Sequence, residues 1–410
     1  MNSLRSLFPI LDTKINGKPL VYFDNAATTQ KPISVIKAES SFYMACNATV
    51  HRGVYSLAER ATAAYEDARK KVGQFIGAQD PNTIVFTRGT TESINCVALS
   101  WAMHHIQEGN EIVISELEHH SNLLPWQRIA KIKKASLRYI PVLADSTLDL
   151  AQLPTLLSDK TKLVAITHVS NALGTHVDIK QVIDAAHGVG AKVLIDAAQS
   201  VAHQKINVAE LNPDFLAFSG HKLFGPNGIG ILYVNKQLHD QLEPFQVGGG
   251  MVYEVDFQKA TWRTMPYLLE AGTPAIAQAI GLGAALDFIN GHIDFTAVQK
   301  HEAQLCAQLI DGLDQIKGIT ALGPVEQLKK MGHLVSFTVD GIHPHDVAAY
   351  LDTYGICVRA GHHCAQPLAA KMNVEASVRV SFSAYNTAKE VDLLLDALEQ
   401  LMKSTIIKTA

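Results

Sequence analysis

The stretch FLAFSGHKLFGPNGIGILYV, residues 215–234, holds two short apolar runs around a loop of glycine and proline that contains one lysine. FLAFSG (215–220) and GILYV (230–234) have the length and the branched or aromatic content of buried strands. Lys222 therefore falls just beyond the carboxyl end of a strand. A lone lysine in a loop is usually solvated. Here Ser219 and His221 flank it, and the following GPNGIG lets the backbone pack closely around it. A lysine held in such a pocket can form a Schiff base with an aldehyde.

Upstream, the same texture repeats. TIVFT (83–87), EIVIS (111–115), LRYIP (137–141), KLVAITHVS (162–170) and KVLIDAA (192–198) read as strands. TESINCVALSWAMHHI and DIKQVIDAAHGVGA between them have helical length. Apolar strands alternating with helices predict an α/β fold, a mainly parallel sheet covered on both faces. Ligands of such sheets bind beyond the carboxyl ends of the strands. After about residue 260 the pattern changes. AGTPAIAQAIGLGAALDFI reads as a long, closely packed helix, and residues 294–316 as a polar one. The pieces GHLVSFTV (332–339), GICVRA (355–360) and SVRVSF (377–382) then read as strands, and KEVDLLLDALEQLMK as a closing helix. This predicts a large αβα domain over 21–290 and a smaller α+β domain over 291–410, with residues 1–20 assigned to the small domain.

Composition narrows the function. The chain has 410 residues, 47% hydrophobic and 18% charged, with net charge −4. That balance gives no footing for nucleic acid, and no apolar run approaches the roughly 18–20 residues of a membrane span. Five cysteines, an odd and sparse set, argue against a disulfide framework and for a reducing cytoplasm. No C-x-x-C pair occurs, so no structural zinc site is expected. In VRAGHHCAQPL (358–368), His362, His363 and Cys364 are consecutive; in an extended stretch they point to alternate faces and converge poorly on one ion.

Several residues around Lys222 suit one chemistry. Asp196 ends an apolar strand, where a carboxylate needs a partner, and Gln199 follows one turn on. Pyridoxal phosphate requires a lysine and a carboxylate that keeps its ring nitrogen protonated. In TIVFTRGTTESIN, Thr90 and Thr91 open a helix after a glycine turn, either a plain cap or an anion site. His119 follows another strand end and can carry protons near neutral pH. Asn171 follows the next strand. Arg359 and Arg379 lie in strand-like segments; Arg379 needs either a protein acid or a substrate carboxylate. Cys364 sits in a Gly-His-His loop without an apolar pattern, the setting of a reactive thiol rather than a core residue. Arg359 and the two histidines are the candidates for stabilising its thiolate.

YFDNAATTQKP, VHRGVYSLAERAT, RGTTESIN, EHHSNLLPW, THVSNALGT, DAAQS, SGHKLFGPNGIGILYV, EAGTP, VRAGHHCAQPL and SFSAYNT together resemble group II, SufS-like cysteine desulfurases, which are fold-type I pyridoxal phosphate enzymes. The resemblance runs from about residue 8 to the last helix. It implies Lys222 as the covalent anchor of pyridoxal 5′-phosphate and His119 stacked on the ring. Asp196 and Gln199 would contact the ring nitrogen and the phenolic oxygen. Thr90, Thr91, Ser219 and His221 would hold the phosphate, joined by Thr273 from the other subunit of a homodimer. Arg379 and Asn171 would hold the substrate carboxylate, with Arg359 near the reacting centre and His51 and Arg52 lining the pocket. The implied reaction takes L-cysteine to L-alanine, leaves the sulfur as a persulfide on Cys364, and passes it to an acceptor protein of the SufE or SufU type for iron–sulfur cluster assembly. Selenocysteine is a further substrate the resemblance allows. Two alternatives stand beside it: an aminotransferase or epimerase-like relative that does not use Cys364, and a metal- or sulfur-binding scaffold built on HHC.

Overall fold

The structure, a computed structural model, describes residues 2–409. Among these, seven strands form one sheet: β1 (Ile84–Thr87), β2 (Glu111–Ser115), β3 (Ser136–Ile140), β4 (Thr161–Thr167), β5 (Lys192–Asp196), β6 (Phe215–Ser219) and β7 (Gly230–Val234). Their order across the sheet is β1-β7-β6-β5-β4-β2-β3. β7 runs antiparallel to both neighbours, and the other pairings are parallel. The mainly parallel sheet read from the apolar runs is therefore present, with its one reversed strand at the second loop of the SGHK segment.

Alternation along each strand feeds two apolar layers. Phe86, Ile166, Leu216 and Phe218 enter one buried cluster, whereas Val85, Ala165, Phe215 and Ala217 enter another on the opposite face. The helix Ile276–His292 packs against the helices Ile33–Ala45 and Ser56–Phe75. Its glycines permit the close approach: a Cβ on Gly281 would lie 2.5 Å from Pro226 Cγ.

The second unit is an antiparallel sheet of β8 (Ile319–Leu322), β9 (Leu334–Val339), β10 (Arg359–Gly361) and β11 (Ser377–Ser381), in the order β8-β9-β11-β10. Helices Phe295–Leu313 and Ala388–Thr409 accompany it, and Leu309, Val335, Phe337, Val380 and Leu398 share its core. The GICVRA segment divides: Arg359 begins β10, while Ile356–Cys357 pairs with Val21–Tyr22. Val21 and Phe23 bury in this second core, whereas Phe8 buries against Phe224, Phe288 and Tyr385.

Candidate active site

The carboxyl ends of β1, β2, β4, β5 and β6 lie along one rim, where a cavity of ≈ 590 Å³ opens. β1 ends at Thr87, and Gly89 turns the chain into the helix that starts at Thr90. β7 crosses so close to this turn that a Cβ on Gly230 would lie 2.3 Å from Gly89 Cα, so only glycine fits there. Ser219, at the end of β6, accepts the Thr90 N–H at 2.8 Å and meets the Thr90 hydroxyl at 2.7 Å. Thr91 pairs with Ser121 at 2.7 Å. The result is a helix start ringed by hydroxyls, facing the cavity.

Asp196, Gln199, Lys222 and His119 line the same cavity. Asp196 is buried and accepts the Ala198 N–H at 2.9 Å; burial raises its carboxyl, opposed by that N–H and by Lys222. Gln199 donates to the Ala26 carbonyl at 2.8 Å. The Lys222 amine makes no hydrogen bond among the described residues. Burial lowers it to about 8, against the upward pull of Asp196. His119 accepts the Ser121 N–H at Nδ1, 3.0 Å away, which leaves the ring proton for Nε2. Burial, with Lys222, His120 and Arg379 nearby, lowers it to about 4, so the ring is neutral. The buried Glu118 before it ties β2 to β4, accepting the Thr167 N–H at 3.0 Å.

The second unit supplies the other wall. Arg379 on β11 is buried and donates from Nη1 to the Asn171 carbonyl at 2.8 Å; burial lowers it to about 10. Asn171 in turn donates to the His363 carbonyl at 2.5 Å. Arg359, the cross-strand neighbour of Arg379, also lines the cavity. Cys364 is exposed, and its carbonyl accepts the His120 N–H at 2.8 Å. His363 and Cys364 have φ of +53° and +56°, two consecutive non-glycine residues in the left-handed region, an uncommon and costly backbone. His362 is exposed, while His363 turns inward onto Ser377 Oγ at 2.9 Å. One expectation is corrected here. His363 cannot lend positive charge to the thiol at neutral pH, because burial, with Arg379 beyond it, lowers the imidazole to about 3.

His51, Arg52 and Thr273 do not line this cavity. They lie together at a second one, of ≈ 250 Å³, beside Arg263, Tyr267 and Glu270. His51 is held there by Glu66 at 2.8 Å.

A model of the class-V aminotransferase family matches residues 21–394. The chain belongs to that family. A probable cysteine desulfurase of Halalkalibacterium halodurans is 48% identical over 399 residues, spanning 97% of each chain. An apo cysteine desulfurase from Thermococcus onnurineus superimposes with a TM-score of 0.93 at 41% identity, and the cysteine desulfurase CsdA from Escherichia coli with 0.90 at 39%; each comparison covers 98% of both chains. The cofactor of this class-V enzyme is pyridoxal 5′-phosphate. The cavity residues fit it: a buried lysine without a hydrogen bond, a buried carboxylate near it, and a helix start lined by hydroxyls stand at one rim.

Two residues at this site escaped the sequence reading. Asp24, in the quoted YFDNAATTQKP, sits between Arg359 and Arg379. Lys31 donates to the carbonyls of His221 and Thr29 at 2.7 and 2.6 Å, and burial lowers it to about 7. The same His221 carbonyl also accepts Thr29 N–H and Thr28 Oγ1, so the peptide preceding Lys222 is clamped from below. The available signal was an acid closing the apolar run LVYFD and a lysine after two threonines; neither pattern names a partner.

Proposed function

We propose that this enzyme converts L-cysteine to L-alanine and takes the sulfur as a persulfide on Cys364. The observation that carries this reading is a single cavity bounded by Lys222 and Asp196 from the large sheet, Arg379 from the small sheet, and the exposed Cys364. Bound at Lys222, the cofactor supplies an electron sink that acidifies the substrate Cα–H and weakens the Cβ–S bond.

The chain's own residues do the rest. Thr90, Thr91, Ser219 and His221 hold the phosphate end through neutral donors. Asp196 faces the ring nitrogen and Gln199 the phenolic oxygen, with His119 stacked over the ring. Arg379 and Asn171 orient the substrate carboxylate. Lys222, with an amine near 8, exchanges between holding the cofactor and moving the Cα proton. The Cys364 thiolate gives its electron pair to the substrate sulfur. The Cβ–S pair stays on carbon, and Cβ takes up a proton to become the methyl of alanine.

The exposure of Cys364 suits handing the sulfur to a second protein, an acceptor of the SufE or SufU type serving iron–sulfur cluster assembly in the cytoplasm. Selenocysteine fits the same path through its weaker carbon–selenium bond. No helix among the described residues is long and apolar enough to cross a membrane. The second cavity supports a homodimer in which Thr273, His51 and Arg52 complete the partner's site.

The test is incubation with L-cysteine, alkylation and peptide mass analysis, with alanine quantified in parallel. One extra sulfur on the Cys364 peptide per alanine in a single turnover is expected. Keto-acid product with no persulfide would move the enzyme to the aminotransferases.

A further inference from the structure

One carboxylate joins the two arginines of the cavity. Arg359 donates from Nη2 to Asp24 Oδ2 at 2.9 Å and from Nε to Oδ1 at 3.3 Å; Arg379 Nη2 reaches the same Oδ1 at 3.3 Å. The backbone holds Asp24 in place. It bridges to Ser381 at the end of β11, whose N–H donates to the Phe23 carbonyl at 2.7 Å. The Asp24 side chain is 16% exposed, Arg359 48% and Arg379 4%. Arg379 nevertheless keeps a buried Nε–H without a partner among the described residues. An unfilled guanidinium donor in a buried wall is costly. It marks where a ligand oxygen belongs.

The charges around it can be counted. Burial, together with nearby cations, holds His119 and His221 near 4 and His363 near 3, so all three are neutral at pH 7. Asp196 opposes Lys222. The two arginines bring two positive charges and Asp24 one negative. One positive charge remains, and the open donor is on Arg379. That complements an amino acid with one carboxylate and an uncharged side chain. It does not complement one with a second acid.

We infer that Asp24 sets the preference of the site for side-chain charge: by engaging Arg359 it leaves one guanidinium for the α-carboxylate and none for an acidic side chain. This rests on the proposed role of Arg379 as the carboxylate grip. Asp24 acts through the arginines and is a positioning residue.

L-Aspartate and L-asparagine are nearly isosteric and differ by one charge, so their ratio of affinities reads the effect. Both are titrated calorimetrically into the holoenzyme, and both are assayed as inhibitors of alanine formation. Asp24→Asn should tighten L-aspartate relative to L-asparagine by about tenfold or more, about 1.4 kcal/mol. Adding Arg359→Gln should reverse that gain. An unchanged ratio in folded, cofactor-loaded Asp24→Asn overturns the inference. If Asp24→Asn does not fold, Arg359→Gln in the parent decides. Asp24 then faces Arg379 alone, and L-aspartate should weaken more than L-asparagine by roughly threefold, the scale of a half-exposed pair; equal weakening overturns the inference. Arg379→Ala separates the two levels. Loss of binding for both amino acids upholds the carboxylate grip and leaves Asp24 to its own result. Unaltered binding of both removes the grip and the inference with it.

Discussion

Along the rim of the large sheet, Thr90, Asp196 and Ser219 are buried and hydrogen-bonded to one another or to nearby backbone. Across the same cavity, Cys364 is exposed on a loop with two successive left-handed residues. The rim is built on strand ends, where ladder hydrogen bonds and two apolar layers leave little freedom. The Cys364 loop is tied by single contacts, His120 N–H to its carbonyl and His363 to Ser377. The difference follows from what each half must do. Holding a cofactor in one geometry rewards rigid, water-excluding walls. A thiol that takes sulfur from one molecule and delivers it to another has to be reachable.

Substitutions can separate the halves. The largest effect is expected on the rigid one. Lys222→Ala should abolish turnover, and borohydride should no longer fix a pyridoxyl group to the protein, while unfolding stays cooperative. In the parent, an adduct mapped by mass spectrometry to any other lysine would overturn the site. Cys364→Ala should remove the persulfide and sustained alanine production. It should keep the visible absorption band of the cofactor and its change on adding L-cysteine, because the rim is untouched. Persulfide found on Cys46, Cys96, Cys306 or Cys357, or normal turnover, would mean that the exposed loop is not the acceptor.

Arg379→Ala tests the wall where the two halves meet. Cysteine binding should weaken by about 2–5 kcal/mol, the usual cost of removing one partner of a buried charge pair. Unchanged binding would reduce the arginine to a brace for Asp24 and Asn171. Acid should then weaken the buried parts. His333 and His363 are buried, and burial sets both below the usual 6.5. Their contribution is complete above about pH 6.5 and is lost as pH falls toward their folded values. The loss by pH 5 amounts to ~2 kcal/mol for each fully buried imidazole. Urea midpoints at pH 7 and 5 measure it, and a flat profile would contradict the burial argument. The smallest effect is expected at the second cavity. Thr273→Ala should reduce cofactor affinity by about 0.5–1.5 kcal/mol, one hydrogen bond, with sedimentation still giving a dimer. An active monomer with full cofactor affinity would end the proposed sharing of sites.

The architecture was legible in the chain because strand formation is local. Each apolar run from TIVFT to GILYV became a strand, within about one residue for most, since buried parallel strands need little beyond a continuous apolar segment. Lys222, Asp196 and Thr90 were legible for the same reason, standing at the ends of such runs. Asp24 was not. Its arginine partners lie 335 and 355 residues away in the chain, and a short polar motif carries no record of what will fold against it. His363 looked from its neighbours like a source of positive charge. Burial against Ser377 makes it neutral, because desolvation depends on packing that no local pattern encodes. The motifs also joined His51, Arg52 and Thr273 to the site without saying through which subunit; folding puts them together in a cavity of their own. Periodicity and chain ends are properties of neighbours in sequence. Charge pairing, pKa and the sharing of a cavity are properties of neighbours in space.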